Sequence, residues 1–222
     1  MRGLALTYCD GHVLDRHTHP WAQLVYAASG VMRVSTPDAA WLVPPTRAIW
    51  APGGTPHEIE MRGAVAMRTL YLAPTGDDPR LAACRAIEVS PLLRELILHI
   101  VRVGTLDAAD PGHARIEGLL VDLLAQAETA PLELPLPRDP RARRMAERRR
   151  TSASSLRSSR LPLEAWRARA RMQQAVAALA GGASVTATAL DAGYQSPSAF
   201  IAAFKRTFGV TPARWRGQAQ TR

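Results

Sequence analysis

The sequence predicts an α+β chain: an antiparallel β-barrel or sandwich first, a helical middle segment next, and an all-α domain at the C-terminal end. Three observations carry this expectation. Up to about residue 74, short runs rich in Val, Ile, Tyr, Trp and Leu alternate with Gly, Pro, Asp and Ser. After residue 78 the apolar period changes from two to three and four. Beyond residue 137 the chain becomes strongly basic.

Strands are expected at 23–27, 31–35, 40–43, 48–51, 57–61 and 66–72. Pro37, Pro44, Pro45, Pro52 and Gly53 punctuate them as turns, since proline cannot sit inside a central strand. Ser90 and Pro91 open a helix whose Leu92, Leu93, Leu96, Ile97, Ile100 and Val101 form a broad apolar stripe. A second helix, 113–127, puts Ile116, Leu119, Leu120, Leu123 and Leu124 on one face. The domains expected are a barrel over 1–78, a helical packing or dimerisation segment over 79–130, a linker over 131–160 and a helical domain over 161–222. The linker is proline-rich at PLELPLPRDP, then Arg/Ser-rich at RRRTSASSLRSSR. Within the last domain, helices are expected at 163–180, stopped by Gly181 and Gly182, then at 185–192 and 197–208.

The charge is unevenly divided. Residues 1–137 hold 11 Lys+Arg against 15 Asp+Glu, 11 − 15 = −4; residues 138–222 hold 17 against 4, 17 − 4 = +13. A polyanion partner for the second half alone fits this division, and on charge nucleic acid is favoured; a solvated basic face is the alternative. No apolar run approaches the roughly 18 residues of a membrane span, and the N-terminus lacks a signal peptide's apolar block. Cys9 and Cys84 form neither a CxxC pair nor a disulfide framework, which fits a cytoplasmic chain without membrane association.

Gly11, His17, His19, Gln23 and Gly30 stand in the order G-x5-H-x-H-x3-Q-x6-G, and Pro52, Gly54 and His57 as P-x-G-x-x-H. On a strand, His17 and His19 point the same way, and His57 from a later strand completes a set of imidazoles suited to a divalent transition metal such as zinc, nickel, iron or manganese. The alternative is that the histidines hydrogen-bond an organic ligand or pack the barrel mouth. These two motifs resemble those of the cupin barrel. Two positions depart from the enzyme-type cupin pattern: Gln23 stands in place of a carboxylate, and Met61 where a polar residue is frequent. A neutral amide is a weak metal ligand and no base at neutral pH, so no catalytic residue is expected here.

The C-terminal segment carries the densest information. Ser184 caps a helix, Gly193 ends it, and Ser196-Pro197 starts another, which is the helix-turn-helix plan with its second helix offered to a major groove. Ala189 is small enough for close helix contact, and Phe200, Phe204 and Phe208, four apart, form a buried stripe. The pattern F-x3-F-K-x3-G-x-T-P-x2-W-R, here Phe200, Phe204, Lys205, Gly209, Thr211, Pro212, Trp215 and Arg216, resembles the signature of AraC/XylS-type transcriptional regulators. A cupin-like sensor joined to such a module is one of that family's architectures. The resemblance implies a helix-turn-helix core of Ala189, Gly193, Phe200, Phe204, Gly209, Pro212 and Trp215. It also implies DNA contacts from Ser196, Ser198, Ala199, Ala202, Lys205 and Arg206, joined by Arg167 and Arg171 of the long helix. Family members carry two helix-turn-helix units; here the first reads as truncated, its place taken by RRRTSASSLRSSR.

The function expected is therefore that of a transcriptional regulator: a small-molecule or metal effector bound at His17, His19, Gln23 and His57, a homodimer, and DNA bound by the second helix-turn-helix unit. The alternatives are a metal-dependent cupin enzyme with a basic appendage, and a partner of an intact paralogue that does not itself bind DNA.

Overall fold

The computed structural model describes residues 1–73, 78–129, 134–135, 171–172, 175–176, 178–179, 182–208, 211–214 and 216. The chain divides into two compact units, Met1–Val34 with Val43–Pro131, and Ser35–Leu42 with Leu132–Thr221.

The first unit holds strands β1 (Arg2–Tyr8), β2 (Val13–His17), β3 (Ala22–Ser35), β5 (Arg47–Ala51), β6 (His57–Leu72) and β7 (Arg85–Glu88), and helices α1 (Pro91–Val103) and α2 (Pro111–Gln126). Strand β6 is its hub. It pairs antiparallel with β1 from Arg2↔Tyr71 to Tyr8↔Val65, and with β2, where His17 faces His57. Strand β3 lies beside β6, and β5 pairs with both β3 and β7. The runs expected as four separate strands are two long ones: 23–27 and 31–35 join in β3, and 57–61 and 66–72 join in β6. Gly30 lets β3 continue at φ +78°; a Cβ there would come within 2.3 Å of the Ala64 carbonyl oxygen, so only glycine fits. Strand β1 falls within the stretch expected to form strands, though no run was delimited there, and β7 lies within the segment read as helical.

Along β6 the period of two sets His57, Ile59, Met61, Val65, Met67 and Thr69, all buried, on one face together with Tyr71. Late in β6 the opposite face, Leu70 and Leu72, is buried as well, packed with Leu93, Ile97 and Ile100 of α1 and Leu120 and Leu124 of α2. Each fully buried leucine or isoleucine of this layer contributes about 1.5–3 kcal/mol. Ser90 and Asp110 cap the two helices, and Pro91 and Pro111 take their first positions. At the other end of α2, Arg85 donates to the carbonyl of Leu124 (2.6 Å), which also accepts from the Ala127 amide, and to the carbonyl of the C-cap Ala127 (3.1 Å). Gly3 is where α1 comes closest: a Cβ would lie 2.9 Å from the Val101 Cα.

In the second unit, β4 (Ala39–Val43) pairs with β8 (Leu134–Pro135). Helical residues occur at 171–172, 175–176 and 178–179, followed by α3 (Val185–Asp191) and α4 (Pro197–Phe208). Met172, Ala175, Val176, Leu179, Ala189, Phe200 and Phe204 are buried. Of the linker over 131–160, only 134–135 is among the described residues, and the beginning of the helix expected at 163–180 lies outside them. No helix among the described residues is long and apolar enough to cross a membrane.

Candidate functional site

His17, His19 and His57 come together at one end of the barrel. Their ring centroids are 4.4 Å (His17–His57), 5.3 Å (His19–His57) and 5.8 Å (His17–His19) apart, and one ring nitrogen from each lies within 4.8 Å of the others. The route differs from the expected one. His17 is the last residue of β2, and His19 lies past its end rather than on the same strand. Convergence comes from the β2–β6 register and from the turn that follows it.

Each ring is oriented by its own neighbourhood. The Nδ1 of His17 lies 2.8 Å from the Asp15 carbonyl, that of His19 2.8 Å from the Trp21 carbonyl, and that of His57 2.9 Å from the Thr55 carbonyl. A carbonyl only accepts, so each Nδ1 carries a hydrogen, which in a neutral ring leaves the lone pair on Nε2. Burial pushes the pKa of His57 down, with the neighbouring imidazoles adding to the effect, so this ring stays neutral and ligand-ready. His57 is fully buried, and its Nε2 has no hydrogen-bond partner among the described residues. A buried lone pair left open among two other imidazoles is what a metal ligand looks like before the ion is counted.

Gln23 adds a fourth donor. Thr69 donates its hydroxyl to the Leu24 carbonyl at 3.1 Å, so its oxygen accepts from Gln23 Nε2 at 2.8 Å, and the same amide nitrogen donates to the Tyr71 hydroxyl at 3.1 Å. The amide orientation is thereby set, and Gln23 Oε1 faces His19 Nε2 at 3.0 Å. Two lone pairs that face each other need a proton or a cation between them. Donors sharing one zinc-sized ion, each roughly 2.1 Å from it, stand about 3.0–3.4 Å apart. The residues present therefore fit a divalent metal held by three imidazoles and an amide. Thr69 and Tyr71, which aim the amide, carry no motif of their own; their signal is the alternation that places them on the His57 face of β6.

The second-unit module forms as its caps dictate. Ser184 Oγ accepts from the Ala187 amide at 3.1 Å to begin α3. At its end Gly193 takes φ +74°, while the Gly193 and Tyr194 amides donate to Leu190 and Ala189 at 2.9 and 3.0 Å, a Schellman closure. Ser196 Oγ accepts from the Ala199 amide at 3.2 Å and so caps α4, while its own hydroxyl hydrogen stays available to donate. Phe200 stacks edge-on with Tyr194 (5.4 Å) and Phe204 (5.6 Å), and Ala189 is fully buried. Opposite this core, Ser198, Ala199, Ala202, Lys205 and Arg206 are all exposed. At about 100° per residue they occupy one arc of roughly 120°. Arg171 is half-buried, with its stem 3.8 Å from where a Gly193 Cβ would stand. Pro212 is buried at the start of a last helical turn, where Thr211 Oγ1 accepts from the Arg214 amide at 3.4 Å. Arg167, Gly209, Trp215 and the side chain of Phe208 lie outside the described residues.

Residues 142–218 match the helix-turn-helix domain family, a match that spans the whole of the Arg/Ser-rich segment. The HTH-type transcriptional regulator NimR of Escherichia coli is 29% identical over 227 residues, covering 92% of this chain and 83% of that protein. Among solved structures, ToxT from Vibrio cholerae aligns with all of both chains at 10% identity and a TM-score of 0.40. The conserved protein SPY1581 of Streptococcus pyogenes, of unknown function, aligns at 22% identity and a TM-score of 0.31; the match covers 32% of this chain and 63% of that one. The family match and the NimR relative make the chain a DNA-binding transcriptional regulator rather than an enzyme. Its C-terminal signature is similar to that of AraC/XylS-type regulators, and its N-terminal part is an antiparallel β-sheet domain.

Proposed function

We propose that the barrel is a sensor and that its input reaches DNA through α4. The observation that carries the DNA half of this reading is the exposed arc of Ser198, Ala199, Ala202, Lys205 and Arg206, on a helix whose other side is buried aromatic core. Ser198 is the short polar reader on this arc, the two alanines leave room for base edges, and Lys205 and Arg206 near the helix end meet phosphates, with Arg167 and Arg171 adding to them. On the sensor side, His17, His19, His57 and Gln23 hold a divalent transition metal. A metal there supplies a Lewis-acidic anchor for a ligand, while Gln23, being neutral, cannot serve as a base. The workplace of such a regulator is the cytoplasm. The functional divisions are the barrel over 1–78, the helical segment over 79–130, the linker over 131–160 and the DNA-binding domain over 161–222.

Ser198, Ala199 and Ala202 offer no bidentate base contact, and Lys205 and Arg206 lie toward the end that meets backbone, so binding is expected to be salt-sensitive and only weakly sequence-dependent. Fluorescence anisotropy with a fragment of the gene's own promoter and a scrambled fragment of equal composition tests it. Replacing both Lys205 and Arg206 by alanine is expected to reduce the salt slope by about two, one per lost phosphate contact. A promoter preference above roughly a thousandfold, the lower edge of ordinary specific recognition, would overturn the weak-specificity reading. The segment RRRTSASSLRSSR favours a second reading, a partner of an intact paralogue, which co-purification with such a paralogue would reveal.

Dimerisation falls to the outer face of α1. Leu93, Ile97 and Ile100 are spent inside the first unit, whereas Leu92 is 56% exposed and Leu96 is only partly covered. A homodimer mass at micromolar concentration is expected by light scattering, and Leu92→Glu is expected to return it to the monomer.

A further inference from the structure

Beside the imidazole cluster lies a cavity of about 390 Å³, within the size range of small-ligand sites, lined by Arg2, Leu4, Trp21, Tyr71, Leu72 and Ala73. Its walls are almost wholly aliphatic and aromatic. Trp21 is 52% exposed, yet its backbone is held firmly: Gly54 N–H donates to the His19 carbonyl at 2.8 Å, and a Cβ on Gly53 would come within 2.2 Å of the Pro20 carbonyl oxygen. An exposed indole on a fixed backbone leaves a ligand only the side chain's two torsions to order.

The cavity's polar groups have one sign. Arg2, the cross-strand partner of Tyr71, is exposed and forms no ion pair among the described residues, and none of the lining residues is acidic. The Tyr71 hydroxyl accepts from Gln23 and so keeps its own hydrogen to donate. An unpaired guanidinium and a phenol at the edge of a hydrocarbon pocket are complementary to an anion with an apolar body.

We propose that this cavity binds a small organic acid, with its apolar or aromatic body against Trp21, Leu4 and Leu72 and its carboxylate turned to Arg2 and Tyr71. On the reading of the barrel as a sensor, on which the regulatory part of this assignment rests, that acid is the class of effector. Tyr71 ties it to the metal site: it accepts from Gln23 and meets the edge of His19 at a centroid distance of 5.4 Å.

Isothermal titration of the full chain with 3-phenylpropionate and with its primary amide tests the assignment. The acid is expected to bind about tenfold more tightly than the amide, the ratio that one charge-assisted contact provides. Arg2→Met is expected to remove most of that preference while leaving amide binding in place, and Trp21→Ala to weaken both ligands. Absence of acid binding, equal affinity for acid and amide, or indifference to Trp21→Ala would each overturn the proposal. DNA affinity measured with and without the acid separates this result from the parent reading. An acid that binds through Trp21 and Arg2 yet leaves DNA affinity unchanged would overturn the sensor and leave the cavity assignment standing.

Discussion

Alanine at His57 is expected to abolish the retention of zinc by the purified protein, read as metal content after exhaustive dialysis. Of the three imidazoles it alone is fully buried, and its Nε2 is left open among the described residues. Removing it leaves two half-buried rings and an amide, too few strong donors for a closed site. A loss of affinity of at least about a hundredfold is expected, beyond the ten- to hundredfold that follows loss of a ligand's supporting partner alone. Gln23→Ala is expected to cost less, because a neutral amide is a weak ligand. Gln23→Glu is expected to tighten binding, since it puts a negative charge at the same distance from His19. That gain guards against a trivial explanation: a variant that merely disturbed the fold would not bind more strongly. Unchanged zinc content in His57→Ala would assign the cluster to an organic ligand.

Alanine at Phe204 is expected to abolish DNA binding while the melting of the first unit is unchanged. Phe204 is fully buried and edge-on to Phe200 at 5.6 Å, in a unit whose described core holds few large side chains. Truncating a buried phenylalanine costs about 3–5 kcal/mol, most of what a small unit has. A fluorescence-anisotropy titration paired with a thermal melt reads both effects. Phe204→Leu is expected to recover part of the binding and Ala202→Ser on the exposed arc to retain it. An intact DNA affinity in Phe204→Ala would mean that the core of the module lies elsewhere.

The local parts of this structure were open to reading from the sequence, and the non-local parts were not. Ser90-Pro91, Ser184, Gly193 and Ser196-Pro197 act within a few residues of themselves, and the structure places each cap and turn where those residues stand. His17, His19 and His57 were legible as a set because their spacing is a motif. The path that unites them was not, since it depends on which strand β2 meets and in what register. The same holds for Arg2–Tyr8, whose alternation is weak and whose partner lies dozens of residues away. Thr69 and Tyr71 took on meaning only when two expected strands proved to be one continuous β6.

The pairing of Arg2 with Tyr71 also sets a timetable for the nascent chain. At roughly 5–20 residues per second, the ribosome needs about 4–14 s after making β1 to release the far end of β6. During that interval Leu4 and Leu6 have no strand to lie against, and contacts this distant in sequence are slow to close even once both ends are free. The N-terminal strand is therefore the segment most open to chaperone capture or to association with a neighbouring unfinished chain. The module after residue 182, built from contacts a few residues apart, closes almost as soon as it emerges. Capture of that strand thus falls on the barrel, the part that carries the histidines.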